Sequence, residues 1–233
     1  MKSIAYEGLA ILNQFPDLRQ QIINAITPLQ GWCGAEKAIA MAELILEKEP
    51  MNVVEIGVFG GRSLIAQALA LKQNKKGVIY GIDSWRTVDT IEGNISDADK
   101  QWWTKNVDLH GIHAGCMNAV WTADIDKHCI IIRASSQHVP RLFPGGIDIL
   151  HIDGCHSEQA SVRDVQHYLP QMNFGGYVWF DDASWPTTQK AIGLIREKYE
   201  PMRKVDDCVL FQKKYDGKFT PYKDNETEPT NPA

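Results

Sequence analysis

The chain has 233 residues, which is enough for one large domain or two small ones. Apolar residues make up 44% and charged residues 23%, which excludes a disordered chain, a collagen and a disulfide-stapled miniprotein. The net charge of −5 favours no nucleic-acid partner. Five cysteines without a C-x-x-C pair indicate a reducing, cytoplasmic compartment. No apolar run approaches the ~20 residues that cross a bilayer, so we expect no membrane partner.

Residues 1–50 are predicted to form an N-terminal helical cover. Apolar side chains recur at helical spacing over residues 9–26. The segment Gly-Trp-Cys-Gly at 31–34 interrupts this pattern. A second helix is predicted at about 35–49, and Pro50 follows its end, where a proline is tolerated.

Residues 51–213 alternate between short apolar runs and helical stretches. The runs are typical of strands buried on both faces. Strands are predicted at 53–56, 78–82, 129–132, 147–152 and 177–180, with a closing hairpin at 203–205 and 208–212. Helices are predicted at 62–72, 139–143, 157–171 and 187–199. This alternation predicts an α/β fold: a Rossmann-like doubly wound sheet of seven mainly parallel strands, with a C-terminal antiparallel hairpin and helices on both faces.

Two further segments differ from this pattern. Residues 86–128 are polar and rich in tryptophan, and we interpret them as a helical and loop insertion that shapes a substrate pocket. Residues 214–233 are polar and contain three prolines, so we expect a disordered tail.

In a parallel sheet, ligands bind beyond the carboxyl ends of the strands. The first strand contains Glu55 and opens into Gly57-x-x-Gly60-Gly61, where glycines allow close approach of a ligand and a helix N-terminus attracts an anion. The loop does not match G-x-G-x-x-G, which disfavours a nicotinamide or flavin. Asp83 ends the second strand and is suited to bind two ribose hydroxyls. Loop and carboxylate together favour an adenosine-bearing ligand, although a tight turn and a helix cap are the structural alternatives.

Three carboxylates follow the next two strands of the core. Asp153 ends one strand, and Asp181 and Asp182 end another that we expect to be its neighbour. Carboxylates at close range repel one another unless protons or a cation intervene. Oxygen ligands suit Mg²⁺, Ca²⁺ or Mn²⁺ better than zinc. Solvated helix caps are the alternative interpretation.

His156 lies three residues after Asp153, at the same edge of the sheet. A histidine there can act as a general base near neutral pH, although it can also simply enter the following helix. Most tryptophans fall in loops or in the insertion, where such residues commonly line a ligand pocket or an interface. This distribution is compatible with a homodimer.

Over residues 31–213 these features resemble the class I S-adenosylmethionine-dependent methyltransferases. The closest resemblance is to their metal-dependent O-methyltransferase branch, which includes catechol and macrolide-sugar O-methyltransferases and a cephalosporin-hydroxylase-like group. The segment Val-Val-Glu-Ile-Gly-Val-Phe-Gly-Gly-Arg-Ser at 53–63 is similar to the first motif of the family. Segment 133–137 is similar to an adenine-contacting segment, and 151–156 and 180–182 are similar to metal-binding motifs.

The resemblance implies an enzyme that transfers a methyl group from S-adenosylmethionine to a small hydroxylated acceptor. It implies that the methionine part of the cofactor is surrounded by Glu55, Gly57, Phe59, Gly61 and Ser63, and the ribose and adenine by Asp83, Ser84, Trp85, Ser136 and Gln137. Mg²⁺ is implied at Asp153, Asp181 and Asp182. Catalysis is implied at Asp153 and His156, but His156 stands where the catechol enzymes have a lysine base and one residue beyond an aspartate base of the sugar enzymes.

Three alternatives remain open from the sequence. One is a metal-independent methyltransferase in which the aspartates are structural. A second is an oxidoreductase, against which the missing G-x-G-x-x-G pattern argues. A third is a non-catalytic cofactor-binding module.

Overall fold

The computed structural model describes residues 11–93, 96–139, 143 and 145–214. One sheet of seven strands forms its centre. The strands are β1 (Asn52–Ile56), β2 (Val78–Asp83), β3 (Cys129–Arg133), β4 (Ile147–Ile152), β5 (Met172–Phe180), β6 (Tyr199–Val205) and β7 (Cys208–Lys213). Their order across the sheet is β3-β2-β1-β4-β5-β7-β6.

The first five strands run parallel, and the last two close the sheet as an antiparallel hairpin. β1 pairs with β2 on one side and with β4 on the other, while β7 runs antiparallel to both β5 and β6. Asp206 has a φ of 52° at the turn of this hairpin. The predicted Rossmann-like sheet with a C-terminal hairpin is confirmed.

Eight α-helices are described: α1 (Pro16–Ile26), α2 (Ala35–Lys48), α3 (Arg62–Asn74), α4 (Thr87–Thr90), α5 (Asp97–Asn106), α6 (Leu109–Thr122), α7 (Glu158–Tyr168) and α8 (Gln189–Arg196). Alternate residues of each strand point to opposite faces, and each face buries its own apolar cluster. Val53 of β1 packs in the cluster of α1, α2, α3 and α6, whereas Val54 packs in the cluster of α7 and α8. The continuous apolar runs in the sequence follow from this double burial.

The segment 86–128 divides into two parts. The helices α4 and α5 contain no buried residue. By contrast, α6 buries Ile112, Cys116 and Val120 in the same cluster as Val53 of β1, and it connects β2 to β3. The second part is therefore the crossover helix that a parallel strand pair requires, and the interpretation of the whole segment as an insertion is refined accordingly.

Two predictions fall mostly outside the described residues. Of the predicted helix at 139–143, only residues 139 and 143 are described, and a 3₁₀ turn at Ser136–His138 precedes them. Residues 215–233 of the predicted tail also lie outside. Within the described part of the chain, no helix combines the length and apolarity needed to cross a membrane.

Candidate functional site

A cavity of about 740 Å³ opens at the carboxyl ends of β1, β2, β4 and β5. It brings together most of the residues that the sequence predicted for a site. Those that line it are Gly57, Phe59, Ser63, Asp83, Ser84, Ser136, Asp153, His156, Asp181 and Asp182. Glu55, Gly61, Trp85 and Gln137 lie outside its lining.

The glycine loop passes directly under the end of β4. Gly57 has a φ of 84°, and a Cβ atom there would lie 2.0 Å from the carbonyl oxygen of Asp153. A Cβ on Gly60 would lie 2.0 Å from the carbonyl oxygen of Gln30. The loop therefore needs glycine at both positions for close packing of the backbone, and this packing leaves its inner surface open to the cavity.

Asp83 fixes the glycine loop through its side chain. Its carboxylate accepts hydrogen bonds from the backbone N–H groups of Val58 (3.0 Å), Phe59 (2.9 Å) and Trp85 (2.7 Å). Burial raises the pKa of Asp83, although these three donors oppose the rise. A carboxylate oxygen can accept more than one hydrogen bond, so this arrangement is compatible with the predicted binding of ribose hydroxyls.

Glu55 lies behind the loop and is completely buried. It accepts hydrogen bonds of 2.8 Å from the hydroxyl of Ser63 and from Nε2 of Gln67. His151 Nδ1 lies 3.2 Å from its Oε2 atom. Glu55 therefore fixes the side chain of Ser63, which lines the cavity. Glu55 itself does not line the cavity and would not contact a ligand there.

Ser136 lies on the opposite wall, where the resemblance implies the adenine. Its hydroxyl donates a hydrogen bond of 2.6 Å to Asp164, and burial raises the pKa of Asp164 to about 6. Trp85 is buried and donates from Nε1 to the carbonyl oxygen of Phe59 at 2.9 Å, so it supports the glycine loop from behind. Gln137 is exposed and lies outside the cavity lining.

Four non-glycine residues at or next to the cavity have left-handed backbone conformations: Phe59 (φ 50°), Trp85 (φ 47°), Asp182 (φ 48°) and Asp206 (φ 52°). Such conformations cost about 1–3 kcal/mol each and persist only where the surrounding structure holds them. Hydrogen bonds to Asp83 hold the first two, since the backbone N–H groups of both donate to it. Asp182 donates its own N–H to the side chain of Asp181 at 3.1 Å.

The strands β4 and β5 are neighbours, as the sequence led us to expect, and the three carboxylates that follow them all line the cavity. Lys37 of α2, which is buried, reaches them from the other side. Its ammonium donates a hydrogen bond to Asp181 and lies 4.0 Å from Asp153. One face of the carboxylate cluster is therefore neutralised by the protein itself.

The pKa values divide these groups into two kinds. Burial and the neighbouring Asp181 raise the pKa of Asp153 well above its usual range. Burial would raise the pKa of Asp181 as well, but the charges of Lys37 and His151 lower it to about 2. Burial alone would lower the pKa of Lys37, but the negative charges of Asp153 and Asp181 have the larger effect and raise it. Lys37 and Asp181 thus form an ionised pair, and Asp153 is the carboxylate that lacks full charge compensation.

His156 lies between the outer two carboxylates. Its Nδ1 atom is 3.3 Å from Asp182 Oδ2, and its Nε2 atom is 3.8 Å from Asp153 Oδ1. Burial lowers the pKa of His156 despite the neighbouring Asp182. The ring is 5.4 Å from that of Trp185. A neutral imidazole in this position can accept a proton.

The oxygen donors suit a hard divalent cation in number and in charge. Asp153, Asp181 and Asp182 are opposed by one buried ammonium, which leaves negative charge for a further cation. Among the described residues, the donor set whose ligand atoms all lie within 4.8 Å of one another is a different one, formed by the buried His151, Asp181 and Cys208. That set mixes N, O and S and suits Mg²⁺ poorly, and Lys37 already binds its carboxylate.

The family model of the methyltransferase domain matches residues 54–183, which is more than half of the chain and includes the carboxyl ends of β1, β2, β4 and β5. The chain belongs to the methyltransferase-domain family. The prediction of a class I S-adenosylmethionine-dependent methyltransferase is therefore confirmed at the level of family and fold.

One curated relative and several solved structures are similar to this chain. The uncharacterized protein R132 of Acanthamoeba polyphaga mimivirus is 30% identical over 166 residues, which cover 67% of this chain and 66% of the relative, slightly under two thirds of its length. The O-methyltransferase NovP has a similar fold, with a TM-score of 0.61, 19% identity and coverage of 77% of this chain and 79% of NovP. The S-adenosylhomocysteine-bound methyltransferase PaMTH1 of Podospora anserina has a TM-score of 0.62, 12% identity and coverage of 92% and 99%.

Lys37 and Asp164 are the main site residues that sequence reasoning missed. Lys37 sits among ten consecutive buried residues of α2, and its ion-pair partner is 144 positions away. Asp164 lies on the buried side of α7, beside Ala160 and Val165. A charged residue on an otherwise apolar helix face is the one signal that points to either of them.

Proposed function

We propose that the protein transfers the methyl group of S-adenosylmethionine to a hydroxyl oxygen of a small acceptor. The observation that carries this proposal is the shared cavity, which is lined both by the glycine loop with Asp83 and by His156 with the three carboxylates. Methyl transfer is an in-line displacement, so donor and acceptor must meet in one enclosed space.

The cofactor binds along the glycine loop in this proposal. Gly57, Phe59 and Ser63 surround its methionine part, and Asp83 holds the ribose near Ser84. The buried Glu55 acts through Ser63, and the buried Trp85 acts through the loop. Ser136, held by Asp164, faces the adenine.

His156 is the base that we propose for the acceptor hydroxyl. Asp182 faces its Nδ1 atom, and its Nε2 atom is turned toward Asp153, where no hydrogen-bond partner is described for it. The acceptor proton moves to the imidazole of His156 while the oxygen lone pair forms the new O–CH₃ bond. The S–CH₃ bond breaks, and its electron pair stays on sulfur in S-adenosylhomocysteine.

Asp153, Asp181 and Asp182 are the residues that we propose to hold Mg²⁺. A bound Mg²⁺ would lower the pKa of an acceptor hydroxyl and orient it. Lys37 keeps Asp181 ionised, so this carboxylate is ready to bind a cation. Asp153 is desolvated and its charge is not fully balanced by Lys37, so a bound cation would stabilise its ionised form the most.

A metal-independent transfer is the second candidate, and the contact of Lys37 with the carboxylates favours it. In that case the ammonium alone orients Asp153 and Asp181, and His156 still takes the proton. Chelation separates the two candidates, because only the first loses activity with EDTA and regains it with Mg²⁺.

The experiment is a transfer assay with methyl-labelled S-adenosylmethionine and hydroxylated acceptors of catechol and sugar type. We expect label in the acceptor, a large loss with Asp153→Asn and His156→Gln, and little change with Asp97→Asn, an exposed carboxylate of α5. Full activity of Asp153→Asn in excess EDTA would contradict the metal site. Binding of S-adenosylhomocysteine without transfer to any acceptor would favour a non-catalytic module.

A further inference from the structure

Three tryptophans that line the cavity expose much of their side chains: Trp32 (68%), Trp102 (45%) and Trp185 (49%). Resting on the proposed function, we infer that they form the acceptor subsite, and that the acceptor is a ring compound with a protonated amino group. Large aromatic side chains are costly to expose, and a group of them in one concave surface marks a binding site.

The tryptophans form two walls. On one side, Trp32 stacks on Phe59 with ring centroids 5.1 Å apart and contacts Trp102 at 6.2 Å, so the aromatic wall is continuous with the glycine loop. On the other side, Trp185 lies 5.4 Å from the ring of His156. A ring held against these faces has its hydroxyl beside the proposed base and the proposed methyl donor.

The charge of the cavity selects among ring compounds. Ten carboxylate side chains and three cationic ones line it. Two of the cations are already paired, because Lys37 binds Asp181 and Arg163 binds Glu92 through two hydrogen bonds of 2.6 and 2.7 Å. The third, Arg62, donates to the carbonyl oxygen of Gly31.

Burial raises the pKa of four of these carboxylates, Asp83, Asp153, Asp164 and Asp182. Without these four, six carboxylates still face three cations, each of which already has a partner. An acceptor with a phosphate or carboxylate group meets repulsion there, whereas an ammonium is attracted both by the carboxylates and by the faces of the tryptophans. Hydroxylated arylalkylamines and amino sugars share this chemistry, since both present an apolar ring face, hydroxyl groups and a protonated amine.

The test is a calorimetric titration of the full chain, saturated with S-adenosylhomocysteine and Mg²⁺, with two pairs of probes. Dopamine is compared with 3,4-dihydroxyphenylacetate, and glucosamine with glucuronate. We expect the cationic member of at least one pair to bind about tenfold more tightly than the anionic one, with a difference that shrinks at high salt. The pair of probes that shows this difference in affinity indicates whether the acceptor ring is an aromatic ring or a sugar ring.

Trp32→Ala and Trp185→Ala should each weaken binding of the preferred probe about tenfold. Trp185→Ala, which does not contact the glycine loop, should leave binding of S-adenosylhomocysteine unchanged. Trp121→Ala is the matched control, because Trp121 is 65% exposed on α6 but does not line the cavity. Equal binding of both charges, tighter binding of the anions, or an equal loss with Trp121→Ala overturns the inference. If the proposed function itself is wrong, the unmodified chain will not bind S-adenosylhomocysteine, and this result is distinguishable from the outcomes above.

Discussion

Asp83 couples the shape of the glycine loop to the end of β2. Hydrogen bonds to a buried carboxylate contribute about 1.5–3 kcal/mol each, more than those between neutral groups. Three such bonds hold the loop that we propose to bind the cofactor. The residue thus has a structural role in the free protein in addition to the ribose contact implied by the family.

Asp83→Asn should lower the free energy of unfolding by about 2–3 kcal/mol, because an amide NH₂ group would face a backbone N–H. Affinity for S-adenosylhomocysteine should fall at least about tenfold, since the loop is no longer fixed. Thermal unfolding and calorimetry measure the two effects. The exposed Asp97→Asn is the control, and equal behaviour of both variants would contradict this role.

Asp164 makes stability depend on pH. Its pKa of about 6 in the folded protein lies above its ordinary value of 3.8. The unfolded chain therefore releases this proton at lower pH, and the contribution of Asp164 to stability falls as the pH rises from about 4 to 6.

Asp164→Asn removes the buried charge and keeps an oxygen that can accept from Ser136. Above pH 6 it should be more stable than the unmodified chain by about 1–3 kcal/mol, and the difference should vanish near pH 4. Denaturant unfolding at several pH values measures this. Asp126→Asn, on the surface, should show no such trend. The assignment would be refuted if the stability of Asp164→Asn relative to the unmodified chain were lower at pH 7 than at pH 4.

At the residue scale, the sequence was informative where a residue follows a strand. Asp153, Asp181 and Asp182 could be placed together because parallel strands end at one edge. Lys37 could not be placed, since the contact depends on how α2 packs against the sheet. The local pattern also could not show that Glu55 bonds to Ser63 and stays out of the cavity.

The contact between β1 and the end of β4 depends on Gly57. Any side chain there would overlap the backbone of Asp153, and the positive φ adds strain for other residues. This contact brings the glycine loop against the proposed metal site, so element packing and site geometry depend on one another.

Gly57→Ala should prevent correct folding or destabilise the protein by several kcal/mol, because the backbone of β4 cannot yield to a Cβ at 2.0 Å. Gly193→Ala is the matched control. Gly193 is exposed in α8 with no atom within 4 Å of its added Cβ, so alanine should stabilise the helix by about 0.5–1 kcal/mol. Soluble yield and thermal unfolding distinguish the two, and a folded, stable Gly57→Ala protein would contradict the described packing.

The helix α2 is bound to the sheet edge through Lys37. Lys37→Met leaves the buried Asp181 and the half-buried Asp153 without their cation and should cost about 3–5 kcal/mol of stability. If the cluster also binds Mg²⁺, this ion should raise the melting temperature of the variant more than that of the unmodified chain.

Lys190→Met is the control for this prediction, because the pair of Lys190 with Glu158 is exposed on the surface and contributes little. A Lys37→Met protein that is as stable as the Lys190→Met protein would show that the buried ion pair is unimportant. A response to Mg²⁺ no larger than that of the unmodified chain would argue against a cation site at the cluster.

At the element scale, short apolar runs between glycines and acidic residues located all seven strands. The role of α6 was less clear from the sequence, because its buried residues are diluted by His110, Gly111 and His113. Only the pairing of β2 with β3 requires a crossover there. Segment 86–128 therefore looked like an insertion until the sheet order was known.

For the whole molecule, the fold concentrates acidic groups at one edge of the sheet. The chain as a whole has a net charge of −5, whereas ten carboxylates and three cations line one cavity. The amino-acid composition gives only the net charge of the chain and not where the charges lie. The distribution follows from the parallel sheet, which collects the strand ends, together with the helices that bring Lys37 and Arg163 to the same place.

The most direct test is a calorimetric titration of the full chain with S-adenosylhomocysteine, with and without Mg²⁺. We predict binding of one S-adenosylhomocysteine per chain, a separate binding signal for Mg²⁺ that disappears in Asp153→Asn, and no binding of a nicotinamide dinucleotide. Absence of S-adenosylhomocysteine binding, or binding of the nicotinamide dinucleotide in its place, would contradict the proposed methyl transfer.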